Sequence, residues 1–176
     1  VELAAAPGSE QPQRYAADVL TTILGDSSGS RLYWDLVDTG EAEHAGLYYG
    51  DYQGAGVFWT SLSCDPDRAA ANLQKVLDIY HEAEEKGFTP KELEQARSKT
   101  KSRLVLSGER PRSRLFNVGG NWLQRAEYRS VQDDIAAIDA VTLEEVNNVL
   151  RQYPLTTNTT VTVGPLEEVQ APENRH

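Results

Sequence analysis

The spacing of apolar residues predicts six helices and four strands. Apolar positions three and four residues apart indicate helices over residues 14–24, 31–39, 68–86, 90–106, 112–125 and 143–153. A short apolar run closed by Pro7-Gly8 indicates a strand over 1–5, and runs rich in β-branched and aromatic residues indicate strands over 45–52, 57–64 and 157–163. The order is strand, two helices, hairpin, four helices, strand. It predicts an α+β fold, with the helices packed on one face of a mostly antiparallel sheet.

Capping signals mark where several of these helices begin and end. Thr89 and Thr142 are each followed three residues later by glutamate, which is the pattern of a capping box. Gly25 stands where a C-terminal glycine cap belongs, and Ser28 or Ser30 can cap the helix that follows. The loop 26–29 is therefore predicted to separate two helices.

The C-terminal half carries further predictions about helices. Asp65 or Asp67 is expected to cap the helix that ends at Lys86, and only a short helical turn is predicted around Ile135 and Ile138. The helix over residues 112–125 is expected to pack its large apolar residues against the domain. These residues are Leu115, Phe116, Trp122 and Leu123.

The two central strands are predicted to form an antiparallel hairpin. Gln53-Gly54-Ala55-Gly56 between them has the composition of a turn. Because side chains alternate along a strand, Trp59 and Ser61 fall on one face and Phe58 and Thr60 on the other. The sequence thus predicts one hairpin with two distinct faces.

Length and composition indicate one folded domain. At 176 residues with 39% hydrophobic residues, the chain can bury a sizeable core. The domain is predicted to span residues 1–166, followed by a polar tail over 167–176. No run approaches the roughly 18 apolar residues of a membrane span. The chain begins with Val and has no Met, so we expect a piece of a longer protein, and its compartment is left open. The single cysteine excludes an internal disulfide.

Charge is unevenly distributed. Residues 97–129 hold nine Lys or Arg and two Glu, a net charge of +7. Because the whole chain has a net charge of −10, the remaining residues carry −17. Such asymmetry can mark an anion-binding face, but charge runs are more often solvated helix surfaces. The overall negative charge argues against a domain-wide nucleic-acid surface.

Two motifs resemble catalytic signatures and fail on context. Gly25-Asp26-Ser27-Ser28-Gly29 matches the G-x-S-x-G pattern of a hydrolase, but that motif needs a preceding strand, and a helix is predicted here. These serines are therefore interpreted as turn and cap residues. His81-Glu82 begins like H-E-x-x-H, but position 85 is glutamate, so the second zinc ligand is missing and His81 is expected to be solvated.

Arg31 and the hairpin tyrosines are the candidate binding residues. A cation in the first turn of a helix faces the positive end of the helix dipole, so Arg31 needs a compensating partner. That partner is either a carboxylate on another element or a bound anionic or carbonyl group. Tyr48, Tyr49 and Tyr52 lie beside glycines, where an extended peptide could approach the backbone, although ordinary aromatic packing is the favoured role.

Six short motifs together resemble the non-metal domain of the insulinase (pitrilysin) family of zinc peptidases. Each is weak alone, but their order and spacing make the resemblance specific over residues 1–165. The motifs are Asp18 with Ile23-Leu24-Gly25, Ser30-Arg31-Leu32-Tyr33, Leu36-Val37-Asp38 with Gly40, the glycine-rich hairpin, Gly87-Phe88-Thr89-Pro90 with Glu92-Leu93, and Val141-Thr142 with Glu144-Glu145-Val146.

The resemblance implies a wall of a clam-like chamber that encloses peptides. In the family, zinc and the general base come from an H-x-x-E-H helix in a different domain, and this sequence has no such motif. The resemblance therefore implies no catalytic residue, no metal ligand and no cofactor in this chain. The implied partners are a catalytic H-x-x-E-H domain, in the same or a partner chain, and a peptide substrate, with neither nucleic acid nor membrane.

Active members of the family also carry an arginine and a tyrosine that steady the substrate or its oxyanion. At the arginine position, after Leu36, this chain has Val37. The tyrosine position holds Glu43 or Tyr49, depending on which glycine anchors the alignment. The predicted substrate contacts are Tyr49, from this tyrosine position, and Arg31, from the first turn of the second predicted helix.

Two main hypotheses follow, from different classes. The first is a substrate-enclosing domain of an insulinase-like metallopeptidase, inactive in isolation. The alternative is a non-catalytic structural or assembly subunit with the same fold, as in respiratory-complex core proteins of this family. A weaker third hypothesis assigns the basic stretch 97–129 to nucleic-acid binding.

Overall fold

The computed structural model describes residues 1–170, which form an antiparallel sheet and a layer of helices. Residues 33–37 form a π-helical segment and residues 66–68 one turn of 3₁₀-helix. The strands are β1 (Glu2–Ala6), β2 (His44–Tyr52), β3 (Ala55–Ser63) and β4 (Asn158–Thr160). The helices are α1 (Arg14–Gly25), α2 (Ala69–Lys86), α3 (Pro90–Gly108), α4 (Pro111–Arg125), α5 (Val131–Ala140) and α6 (Leu143–Gln152).

The sheet has the strand order β2-β3-β1-β4, and every neighbouring pair is antiparallel. β2 and β3 form the predicted hairpin, but its turn is tighter than expected. Tyr52 pairs with Ala55, so only Gln53 and Gly54 connect the strands, and Gly54 adopts a φ of 77° that favours glycine. The predicted four-residue turn was therefore two residues too long.

The helices cover one face of the sheet, as predicted. α1 packs against β2, α2 reaches β3 through a hydrogen bond of 2.7 Å between the hydroxyls of Tyr80 and Thr60, and α3 and α6 pack on α1. Phe58 points into this layer and is buried, whereas Trp59 points to the opposite face. The core thus lies between the sheet and the helices, and the other face of the sheet is open.

Side-chain caps define the helix starts, with two corrections to the predictions. The boxes at Thr89 and Thr142 are both formed, as predicted. Ser130 and Asp133 form a third box, so the predicted short turn is a full helix, α5. Neither Asp65 nor Asp67 caps α2, which follows directly from the 3₁₀ turn at Pro66–Arg68.

Gly25 does not act as the predicted C-terminal cap. It is the last residue of α1, its φ is not positive, and the chain leaves the helix through an extended Asp26. A methyl carbon built on Gly25 would lie 2.6 Å from the Cα of Leu47 and closer still to its amide nitrogen. Glycine is therefore required here because α1 and β2 touch backbone to backbone.

The expectation that α4 packs its apolar residues inward is wrong. The four residues on which it rested, Leu115, Phe116, Trp122 and Leu123, are between 61% and 83% exposed, and α4 has no buried residue. The space between α4 and the domain is lined mainly by polar residues of α4, among them Asn117, Asn121 and Gln124, with Phe116 at its border.

The C-terminal end differs slightly from the prediction. β4 is three residues long rather than seven, and the predicted polar tail 167–176 lies outside the described residues from 171 onward. No helix in the described part of the chain combines the length and hydropathy needed to cross a membrane.

Candidate functional site

The serine loop after α1 is a capped turn, as predicted. Ser30 accepts a hydrogen bond of 3.1 Å from the backbone amide of Tyr33 and donates one of 2.6 Å to the carbonyl of Asp26. Of the two predicted caps, it is therefore Ser30 that closes the helix start. Lys99 donates to the Asp26 carboxylate at 2.9 Å and holds the loop against α3.

Arg31 has the compensating carboxylate that its position requires. Its Nε donates to Glu92 at 2.8 Å, its Nη2 donates to the carbonyl of Gly87 at 3.0 Å, and its guanidinium lies 5.0 Å from the ring centre of Phe88. Burial alone would raise the pKa of Glu92, but the hydrogen bonds from Arg31 and Thr89 outweigh it and lower the pKa. Arg31 thus ties the serine loop to the start of α3.

Arg31 also lines a cleft between α1, the π-helical segment and α3. The cleft has a volume of about 530 Å³, and its wall includes Trp34, which is 55% exposed, together with Lys91 and Lys99. With an exposed indole, cations and the Glu92 carboxylate in its lining, the cleft suits an apolar group that carries carbonyl oxygens.

Tyr49, the other predicted substrate contact, lies on the helix side of the sheet. Its hydroxyl donates to the carbonyl of Pro7 at 2.7 Å, and its ring packs 5.5 Å from that of Phe58. Burial, reinforced by the nearby Asp51 and Asp18, raises the pKa of Tyr49 far above neutral pH, so the phenol stays protonated.

Tyr49 borders a second cleft of about 510 Å³, which α4 covers. Asp18 and Arg103 also line it. Enclosure raises the pKa of Asp18, and the positive charge of Arg103 partly offsets this effect. The clefts that contain Arg31 and Tyr49 are lined by different residues, so the structure does not bring the two predicted contacts together.

Val37 stands at the implied arginine position and Glu43 at one of the two possible tyrosine positions, and neither residue lines these clefts. Val37 ends the π-helical segment and packs, partly buried, against the hydrophobic core. Glu43 precedes β2 and is exposed, with its carboxylate accepting a hydrogen bond of 3.3 Å from Ser63. Val37 therefore offers no charge to a substrate.

The open face of the sheet carries a row of aromatic side chains. Tyr48 stacks on Trp59 at 5.4 Å with an interplanar angle of 21°, and on His44 at 6.3 Å with an angle of 18°. Leu3 pairs with Trp59 from the other side and is exposed. We call His44, Tyr48, Tyr52, Trp59 and Leu3 the aromatic face.

Glycines in β2 make room for these rings. A methyl carbon on Gly50 would lie 3.0 Å from the ring of Trp59, and one on Gly46 would lie 3.0 Å from the hydroxyl of Tyr48. The alternation of glycine and tyrosine from Gly46 to Tyr52 therefore produces a flat aromatic surface. Sequence reasoning noted the tyrosines but missed the row, because only the two-residue turn places Tyr48 opposite Trp59.

β2 is also the outermost strand on its side of the sheet, and it pairs only with β3 among residues 1–170. A strand at a sheet edge presents backbone donors and acceptors to which an extended peptide can hydrogen-bond. α1 ends against the backbone of Leu47, and residues 45–47 are buried, so an extended segment can reach the edge over residues 48–52, next to the aromatic face.

His81 differs from its prediction as a solvated residue. It is half-buried, and its Nε2 is shielded from solvent without a hydrogen-bond partner in the described structure. Among residues 1–170, no group of three His, Cys, Asp or Glu side chains is arranged to hold a metal ion.

These features define a class: a two-layer α+β domain with helices on one face and an open, aromatic antiparallel sheet on the other. Comparison with known proteins specifies the family. Residues 3–100 match the sequence profile described as "Peptidase M16 inactive domain". The chain therefore belongs to the M16 peptidase family, and the resemblance to the non-metal domain of insulinase-like zinc peptidases is confirmed.

Sequence relatives and solved structures agree with this assignment. An uncharacterized zinc protease of Mycobacterium tuberculosis is 31% identical over 151 residues, which cover 82% of this chain and 33% of the relative. The inactive peptidase domain of a putative zinc protease from Bordetella parapertussis has a TM-score of 0.67 at 23% identity, covering 94% of this chain and 95% of that one. A chain of complex III from Candida albicans has a TM-score of 0.77 at 15% identity, covering 86% and 39%.

The similarity to these solved structures shows the fold of this chain, and the coverage values show how much of each relative it matches. The chain spans about a third of the curated relatives that it matches. Those relatives are described as zinc proteases.

Proposed function

We propose that this domain forms one wall of the substrate-enclosing chamber of a zinc peptidase and is inactive in isolation. Zinc and the general base belong, in this proposal, to a separate catalytic domain in the same or a partner chain. Membership of the inactive-domain family supports this assignment. The observation that carries it is the aromatic face beside the unpaired edge of β2, a surface with the chemistry to hold an extended peptide.

The energetics of such binding follow from the geometry. A peptide that adds to the edge of β2 would exchange backbone hydrogen bonds with it, which fixes the direction and register of the peptide but not its sequence. Every second side chain of the peptide would then lie over the aromatic face. If one side chain buries about 60 Å² of apolar surface, it contributes about 1.5 kcal/mol. This favours peptides with apolar or aromatic residues at alternate positions.

Arg31 and Tyr49 remain proposed substrate contacts, each in its own cleft and apart from the aromatic face. Two of the three guanidinium nitrogens of Arg31 are committed to Glu92 and Gly87, which leaves Nη1 to meet a carbonyl or carboxylate in the Trp34 cleft. The phenol of Tyr49 is held by Pro7, so it would act as a neutral hydrogen-bonding wall group rather than as an acid or base. Val37 supplies no cation for an oxyanion, so that stabilisation falls to the catalytic domain.

The binding test is a titration of the chain with extended peptides that carry apolar residues at alternate positions. We expect saturable binding, reported by Trp fluorescence and calorimetry, and at least a fivefold weaker affinity for Trp59→Ala. The matched control is Tyr128→Ala, because Tyr128 is an exposed aromatic residue outside the aromatic face. An unchanged affinity in Trp59→Ala would show that peptides do not bind this surface.

A second function, that of a structural subunit, is favoured by one observation. Val37 replaces the arginine implied for active relatives. The fold is also shared with a chain of the Candida albicans complex III, although that similarity concerns the fold alone. The zinc content of the intact parent protein separates the two functions, because a peptidase binds one equivalent per catalytic domain and a structural subunit binds none.

A further inference from the structure

α4 is an amphipathic helix that presents its apolar side to solvent. Leu115, Val118 and Trp122 are three or four residues apart, and Phe116 and Leu123 flank them, so the five side chains form one stripe. Asn117, Asn121 and Gln124 lie on the opposite side and line the cleft toward the domain, and Phe116, at the edge of the stripe, borders that cleft. Helices on a protein surface normally show the reverse orientation.

Polar contacts, and not apolar burial, hold α4 in this orientation. Arg125 donates to the carbonyl of Ser9 at 3.1 Å and lies 3.6 Å from the carboxylate of Asp51. Its side chain is only 12% exposed, which makes it the main anchor of the helix. The apolar stripe is therefore not needed to attach α4 to this domain.

The exposed area is large for a domain of this size. A whole aromatic side chain has a surface of roughly 150–250 Å². At 61% to 83% exposure, the four largest side chains of the stripe together expose roughly 500 Å². The largest apolar patch on a typical monomer is about 300–600 Å² and is often functional. A standard interface buries about 800 Å² on each partner, so the stripe would supply most of one side.

We propose that the α4 stripe, defined as Leu115, Phe116, Val118, Trp122 and Leu123, is the docking surface for the catalytic domain of the peptidase. This inference rests on the proposed function, in which a catalytic domain is present in the same or a partner chain. The relatives are about three times as long as the part that this chain matches, so they contain the additional polypeptide that can cover the stripe. When the additional polypeptide belongs to the same chain as the stripe, it binds the stripe at high effective concentration.

Charge argues against a second copy of this chain as the occupant. α4 contains no acidic residue, and three arginines, Arg110, Arg112 and Arg114, lie at its start, apart from the anchor Arg125, which faces the domain. In a symmetric dimer the same patch meets itself, so the arginines of the two copies would face each other. The arginines predict that the catalytic domain has an apolar docking surface with a rim of Asp and Glu.

The test compares the isolated chain with the intact protein that contains both domains, by hydroxyl-radical footprinting. The isolated chain is held at a concentration where light scattering shows a monomer. We expect labelling of Trp122 and Leu123 to be at least fivefold lower in the intact protein. Leu123→Glu in the intact protein should restore the labelling of Trp122, whereas Val163→Glu, at a residue that is 99% exposed, should not.

Three outcomes decide the matter. Equal labelling of Trp122 in both proteins would overturn the proposal, and so would protection that appears in the isolated chain as it dimerises, because a second copy would then be the occupant. In the isolated chain, Leu123→Glu should leave the melting temperature unchanged, which separates lost docking from lost folding. No peptide is present in the experiment, so its result is independent of whether the aromatic face binds substrate.

Discussion

Gly25→Ala is the substitution that tests most sharply how α1 is seated on the sheet. A methyl group at this position would stand 2.6 Å from the Cα of Leu47 and closer to its amide nitrogen, and both are backbone atoms that cannot rotate away. The end of α1 must therefore move outward by roughly 1 Å, which separates it from β2. Overpacking a tight core site costs about 1–3 kcal/mol, and a backbone clash belongs at or above the upper end.

We therefore expect the free energy of unfolding to fall by about 3 kcal/mol or more. For a domain of this length, each kcal/mol lowers the melting temperature by about 2–4 °C, so the expected loss is about 6–12 °C. Gly119→Ala is the matched control. A methyl group on Gly119 meets nothing within 4 Å, and replacing glycine inside a helix gains about 0.5–1 kcal/mol. Equal effects of the two substitutions in urea denaturation would refute the close contact between α1 and β2.

Two further predictions concern stability. Arg31→Leu should cost about 1–2 kcal/mol at pH 7, because Glu92 loses its donor. Since the pKa of Glu92 is lowered in the folded state, the stability difference between the wild type and Arg31→Leu should be full at neutral pH and shrink as the pH falls below about 4.5. Denaturation at several pH values measures this difference, and a difference that grows toward acid would contradict the ion pair. Tyr80→Phe should cost about 1–2 kcal/mol because it leaves the buried Thr60 hydroxyl without its partner, whereas Tyr52→Phe, at an exposed ring, should cost nothing measurable by the same assay.

Local signals in the sequence predicted most of the fold. The capping boxes at Thr89 and Thr142 placed two helix starts correctly, because a box depends only on residues three apart. The third box was missed since Asp133 stands where glutamate or glutamine is expected. The need of Arg31 for a partner was also correct, but the identity of Glu92, 61 residues away, depends on tertiary structure.

Two errors show where local reasoning ends. Gly25 was read as a cap because a helix ends there, but its role depends on the approach of Leu47 from another element. The periodicity of residues 112–125 correctly predicted a helix and its apolar stripe. It could not give the direction of the stripe, because the same pattern fits a helix that packs on its own domain and one that awaits a partner.

The candidate site was partly accessible from sequence. The aromatic face arises from the alternation in β2 and from the pairing of Tyr48 with Trp59, and the second of these requires the exact register of the hairpin. The family motifs identified the fold, while the clefts around Arg31 and Tyr49 are products of packing between α1, α3 and α4.

The measurement that tests the central claim most directly is a complementation assay of peptide hydrolysis with parallel determination of zinc. The chain alone, the catalytic domain alone and the two together are assayed with the same fluorogenic peptide. We expect the chain alone to bind no stoichiometric zinc and to cleave nothing, and its addition to raise the activity of the catalytic domain at least tenfold. Stoichiometric zinc and peptide cleavage in the chain alone, or activity of the catalytic domain that this chain does not change, would contradict the account.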